Sequence, residues 1–175
     1  QGNSPEEIFV DPYSAQGQRD YLYMLQGILR RQPNAVLFDY IRYPRGVGAA
    51  SVASSVGDLW IYGTAAQQAL LQRAVVDFLQ MATRVTQQQS VGAGAVFFPS
   101  GNQAVGTQGY DSRLQHWDRF PQNITWHPMA YSICGNASCI VQEIQDVIEK
   151  SGNVSNVRPA LAGVWGSSTD NRPSL

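Results

Sequence analysis

Charge is what this chain has least of. Lysine, arginine, aspartate and glutamate make up 14% of its 175 residues, against roughly a quarter in an average domain. The signs nearly cancel, 12 basic against 13 acidic, so no basic footprint marks a nucleic-acid face or an anionic membrane surface. No apolar run approaches the roughly 20 residues of a membrane span. A glycine fingerprint for phosphate or dinucleotide is also missing: Gly92-Ala93-Gly94 leads into a strand rather than opening a helix. Cysteine and histidine are down to two each. His116 and His127 lie in segments unrelated to Cys134 and Cys139, a poor basis for a metal site, and no cofactor is expected. No signal peptide is visible, although a chain that opens at Gln1 without Met could have lost one by processing or truncation.

What the chain does have is apolar periodicity. With 43% hydrophobic residues it can bury the core of about one domain. Gln, Asn, Ser and Gly supply much of the polar surface. Ile8 to Pro12 reads as a short strand stopped by proline. After Ser14, a suitable helix cap, Tyr21, Met24, Leu25, Ile28 and Leu29 fall on one helical stripe that runs to Arg30 and Arg31. Residues 45–64 read as a long loop, within which Asp58 to Tyr62 folds back over the strand ends. A long helix from Ala65 to Gln87 sets Leu70, Leu71, Ala74, Val75, Phe78, Leu79 and Ala82 on one face. Gly92 to Pro99 is the next strand, and residues 100–123 form a polar loop anchored by Trp117 and Phe120. Ile124 to Tyr131 follows as a strand that Pro128 must bulge or end. Ile140, Val141, Ile144, Val147 and Ile148 make a third helical stripe, and Val157 to Trp165 is a last strand. Strands alternating with helices imply an α/β fold on a parallel sheet with right-handed crossovers.

One stretch organises the rest. Ala35-Val36-Leu37-Phe38 is an apolar run that ends in Asp39, followed by Tyr40, Ile41, Arg42, Tyr43 and Pro44. A carboxyl group therefore stands where a buried strand emerges into solvent, rimmed by two aromatic rings and a guanidinium. A sugar-processing site at the carboxyl end of a barrel strand has this form. The alternative is a strand-end cap, or a partner for Arg42.

Two architectures compete. An open doubly wound sheet suits 175 residues, but its phosphate fingerprint is missing. A (β/α)8 barrel takes about 250 residues, so this chain would represent only part of one, with strands missing at both ends. The run Phe38 to Pro44 resembles the signature of the family-10-like glycosyl hydrolases, bacterial barrel proteins in which it closes the fourth strand. Tyr43-Pro44-Arg45-Gly46 and Leu59-Trp60-Ile61-Tyr62 are similar to cyanobacterial-type members. Phe9-Val10-Asp11-Pro12 resembles the end of the third strand, and Pro128-Met129-Ala130-Tyr131-Ser132 the sixth strand of related sugar-hydrolase barrels. Pro159 to Trp165 would be the seventh. The resemblance covers most of residues 7–166. It implies an α/β (β/α)8 TIM-barrel fold, incompletely represented by about strands three to seven, as a single domain over residues 1–175. In such proteins the region after the fourth strand is usually longer, which leaves room for a gap inside the long helix, near Arg73 to Val76.

The function so implied is a glycoside hydrolase-like protein acting on a polysaccharide or cell-wall glycan. Such hydrolysis generally uses two carboxyl groups, about 5–5.5 Å apart for retention and 6.5–9.5 Å for inversion. Asp39 is expected to be one of them, as nucleophile or as stabiliser of the transition state. Asp11, at another strand end, is the candidate second, unless it only opens a turn. Asp111 and Asp118 fall in the polar loop. On the strand where related barrels place their acid, this chain offers His127 and Tyr131. His127 can shuttle a proton or be a packed structural residue beside Trp126. Tyr40, Tyr43, Trp126, Tyr131 and Trp165 are the expected sugar-stacking rings, the alternative being that they fill the core. Arg42 and Asn102 are candidates for reading hydroxyls.

The rival function is a carbohydrate-binding or scaffold protein without catalysis. A second carboxyl group within about 10 Å of Asp39 would favour the enzyme. Either way the expected partner is a carbohydrate, with no nucleic acid and no membrane span. Cys134 and Cys139 are either a small-ring disulfide, which a turn through Gly135 and Asn136 permits, or two reduced thiols. Oxidation would point to an exported protein, whether periplasmic, lumenal or extracellular. The Asn-x-Ser/Thr sequons at Asn123, Asn136 and Asn153 are assigned no function.

Overall fold

Three short parallel strands carry the architecture. The structure is a computed structural model and describes residues 11–43, 51–52, 59–60, 64–99, 115–130 and 136–161. In chain order the elements are α1 (Ala15–Leu29), β1 (Ala35–Phe38), β2 (Ser51–Val52), β3 (Leu59–Trp60), α2 (Ala65–Gln88), β4 (Gly92–Phe97), β5 (Thr125–Pro128) and α3 (Ala137–Ser151). One-turn 3-10 helices lie at Trp117–Arg119 and Val154–Asn156. The main sheet has the order β1-β4-β5, parallel throughout. Beyond β5, Trp126 and Met129 make parallel bridges to Val157 and Ala160. Among the described residues the parallel strands thus lie side by side in chain order, without the reversal of order that opens a crevice in a doubly wound sheet.

The barrel expectation is overturned. Among the described residues the parallel sheet has three strands and a bridged fourth segment, and none of them closes it on β1. Closure takes eight strands and about 250 residues. Alternating apolar strands and helices look alike in an open parallel sheet and in a barrel, so the pattern alone could not separate the two. The expected strand from Val157 to Trp165 is reduced to bridges at Val157 and Ala160, and its end lies outside the described residues, as does the expected strand at residues 8–10. The region 45–64 is more than a loop, because β2 and β3 pair as antiparallel strands and β3 lies against α2. α2 itself runs unbroken from Ala65 to Gln88.

Side-chain chemistry sets the helix ends. Ser14 Oγ accepts from the Gly17 amide at 3.1 Å and starts α1. Thr64 and Gln67 form a reciprocal capping box on α2, at 3.3 and 3.0 Å. Asn136 Oδ1 accepts from the Cys139 amide at 2.9 Å on α3, which ends in left-handed Gly152. Of the α1 stripe, Leu25 and Leu29 are buried while Met24 and Ile28 stay exposed. The Tyr21 ring meets Phe78 of α2 edge-on at 4.6 Å. α2 buries Leu71, Ala74, Val75, Leu79 and Ala82 as its spacing predicts, but also Gln68, Gln72, Thr83 and Thr86.

Strand alternation divides the sheet into two faces. The register row Phe38–Ala95–Trp126, with Ala93 and Phe97, faces the core. There Phe97 stacks on Trp117 at 5.2 Å, with Trp126 edge-on to both. Their indole N–H groups donate to the Pro99 and Pro121 carbonyls at 2.9 and 3.1 Å, so these rings are buried without an unpaired donor. Trp117 and Phe120 anchor the chain ahead of β5 as expected. The opposite face carries the row Leu37–Gly94–Thr125, and Leu37 keeps 53% of its surface in solvent.

Candidate functional site: the turn after β1

Asp39 is the first residue beyond β1 and is exposed. Its Oδ1 accepts from the Tyr40 amide at 2.7 Å. Tyr40 takes a left-handed backbone, φ +59°, a conformation that costs a bulky L-residue about 1–2 kcal/mol. The Arg42 amide then donates to the Tyr40 carbonyl at 2.9 Å, which closes a tight reversal. The Arg42 guanidinium lies 4.6 Å from the Tyr40 ring centroid and 6.0 Å from that of Phe98. It also donates to the Tyr43 carbonyl at 3.0 Å. A cation–π contact of this exposed kind returns about 0.5–1 kcal/mol, so together with the Asp39 hydrogen bond it offsets much of the backbone strain. The reversal throws the Tyr40 ring outward, 58% exposed.

The reversal is pinned from beneath by Gln115, which is 1% exposed. Its Oε1 accepts from the Phe98 amide at 2.9 Å, and its Nε2 donates to the Ile41 carbonyl at 3.2 Å. One buried amide thus ties the chain after β1 to the chain after β4. Sequence reading missed it, because a glutamine in a polar loop carries no signal of burial.

Tyr43 turns the other way. It is 4% exposed within the core, and its hydroxyl has no hydrogen-bond partner among the described residues. Burial, then Tyr13 and the Asp11 carboxyl, raise its pKa well above the ordinary value. Asp11 opens a turn, its Oδ1 accepting from the Tyr13 amide at 2.9 Å. Tyr13 Oη donates to the Leu70 carbonyl at 2.7 Å. Asp11 is thereby grouped with Tyr13 and Tyr43. Trp126 is buried in the aromatic cluster described above.

The second polar feature lies on the sheet face opposite the core. His127, half-buried on β5, has its Nε2 2.8 Å from Thr125 Oγ1. Burial foremost, and then the charge of Arg158, lower the His127 pKa below its ordinary 6.5, while a hydrogen bond with the Arg158 backbone opposes the shift. Both side chains lean over Gly94: a Cβ there would come within 2.6 Å of Thr125 Oγ1, 2.9 Å of His127 Nε2 and 3.0 Å of Leu37 Cδ1. A glycine inside a strand often marks such a close approach, a signal available in the sequence. His116 Nδ1 lies 3.4 Å from Asp118 Oδ1, and burial lowers its pKa while Asp118 opposes.

Asn102, Asp111, Tyr131, Cys134 and Trp165 lie outside the described residues. Cys139, in the first turn of α3, is disulfide-bonded, and Cys134 is the only other cysteine in the chain. Among the described residues no three His, Cys, Asp or Glu side chains gather as a metal-ligand set would, and no helix is long and apolar enough to cross a membrane. The turn therefore offers the Asp39 carboxyl group, an outward ring backed by a guanidinium, and a buried amide that ties its Ile41 carbonyl to the end of β4. No family model, curated protein or solved structure matches this chain.

Proposed function

We propose that the turn after β1 is a carbohydrate-recognition site. Asp39 accepts hydrogen bonds from sugar hydroxyls, the outward Tyr40 ring stacks on the C–H face of a pyranose, and Arg42 stiffens that ring from behind. The observation that carries this reading is the left-handed Tyr40. Strain at a bulky residue is retained where a fold uses the resulting geometry, and here its product is a solvent-facing ring beside a carboxyl group. The disulfide at Cys139 supports an exported, oxidising setting, in which glycans are common ligands.

Glycoside hydrolysis is the second reading. It is favoured by the position of Asp39 at the carboxyl end of a parallel strand, where α/β proteins hold ligands and reacting groups. Among the described residues that contact this turn, however, Tyr40, Arg42, Phe98 and Gln115 bring rings, a guanidinium and an amide. Hydrolysis generally needs a second carboxyl group beside Asp39, whereas recognition rests on the Asp39 turn alone.

A glycan array probed with the wild type and with Asp39→Asn, alongside an assay for released reducing ends, tests this. Recognition predicts array signals that Asp39→Asn abolishes, with no reducing ends released. Reducing ends that appear with the wild type and vanish in Asp39→Asn would establish the hydrolase instead. A wild type that binds no glycan would sink both.

A further inference from the structure

We propose that the outer face of α1 is a self-association surface, through which two copies of this chain pair as an antiparallel, two-fold dimer. The proposal is independent of the carbohydrate reading of the Asp39 turn. Exposure is the first observation. Leu25 and Leu29 bury the inner side of α1, yet Tyr23, Met24 and Ile28 leave 73%, 52% and 42% of their surface in solvent. Asp20, Tyr23, Met24, Gly27, Ile28 and Arg31 recur at the three- and four-residue spacing that sets side chains on one helical face. Large apolar groups gathered on one face mark a contact surface, whereas scattered single ones do not.

Gly27 is the second observation. Glycine inside a helix weakens it relative to alanine, so a glycine there calls for a reason. Among the described residues a Cβ at Gly27 would meet only Arg30 Nη2, at an ordinary 3.5 Å. The chain's own packing therefore does not require the glycine, and its missing side chain leaves a notch beside Tyr23 and Met24 in the outer surface of α1. Self-complementarity decides the occupant. An antiparallel pairing that sets Met24 opposite Gly27 of the second copy also sets Tyr23 opposite Ile28 and Asp20 opposite Arg31. Asp20 and Arg31 are both exposed, and the two-fold axis repeats every pair, as an isologous interface requires. The face thus carries both halves of each contact, bulk and notch, acid and base, which a surface for an unlike partner has no need to hold. α1 is about 22 Å long. One helix pair of that length falls short of the roughly 1,600 Å² of a standard interface, so the dimer is weak, with a dissociation constant on the order of tens of micromolar.

Sedimentation equilibrium of the full chain, from about 1 to 500 µM, is the test. The wild type should pass from monomer to dimer across that range. Gly27→Leu fills the notch and should weaken association at least about ten-fold. Asp20→Arg and Arg31→Asp each set like charges opposite one another twice, and each should weaken association about five-fold or more. An equimolar mixture of those two variants should associate as tightly as the wild type, because every facing pair is again acid against base. Misfolding cannot produce that recovery, so the mixture decides the matter even if Gly27→Leu fails to fold. A wild type that stays monomeric throughout would overturn the proposal. So would a dimer that none of the three variants weakens, or a mixture that associates no better than its two components.

Discussion

Gln115 and Ile41 are 74 residues apart in sequence and are joined by one hydrogen bond, Gln115 Nε2 to the Ile41 carbonyl at 3.2 Å. With the Phe98 amide donating to the same side chain, that contact fixes the turn bearing Asp39 against the end of β4. Both capacities of the amide are needed, the donor for Ile41 and the acceptor for Phe98. Gln115→Glu keeps the acceptor, loses the donor and buries a charge. It is expected to destabilise the fold by about 2–4 kcal/mol, with part of the loss recovered at low pH as the new carboxyl takes up a proton. Urea unfolding at neutral and acidic pH measures both effects.

Tyr40→Gly separates function from stability. Glycine removes the left-handed strain but adds freedom to the unfolded chain. Stability should stay within about 1 kcal/mol of the wild type, while glycan binding is lost with the ring. Thermal unfolding and calorimetric titration of the same preparation check the two halves. A large loss of stability would mean that the Arg42 stack contributes far more than an exposed cation–π pair usually does.

Tyr43→Phe removes a buried hydroxyl that has no partner among the described residues. Deleting such a group without changing shape is expected to leave the protein as stable or to stabilise it by about 1 kcal/mol, and to leave glycan binding unchanged. Loss of binding would show that the hydroxyl is used by the ligand after all.

The histidines set a pH trend. His116 and His127 both have folded-state pKa values lowered from 6.5, chiefly by burial. The unfolded chain therefore binds more protons than the folded one just below pH 6.5, and stability rises with pH across that window. Stability should be full above the unfolded value and should fall as pH drops through the lowered folded values. His127→Gln should flatten its share of the slope in unfolding curves taken between about pH 7 and 5.

Much of the secondary structure was legible in the sequence, because its signals are local. Ser14 as a cap, the spacing along α2 and the proline that ends β5 depend on neighbouring residues, and each has its counterpart in the structure. What depends on distant partners was not legible. Periodicity marked Met24, Ile28 and Leu70 as apolar-face residues, yet all three are exposed, since a stripe does not state how much of it is covered. The same β–α alternation suits an open sheet and a closed barrel, so closure was misread. Within the Asp39 stretch, the exposed strand-end position of Asp39 was legible from the polarity switch. The opposite fates of Tyr40 and Tyr43 were not, because they follow from the left-handed backbone of Tyr40 itself.

Calorimetric titration of the wild type and Asp39→Asn with neutral oligosaccharides, at matched unfolding temperatures, tests carbohydrate recognition at this turn most directly. Recognition through Asp39 predicts a saturable wild-type isotherm and at least about ten-fold weaker binding in Asp39→Asn, the loss expected for a hydrogen bond to a charged group. Equal affinities in the two proteins, or no binding by either, would contradict it.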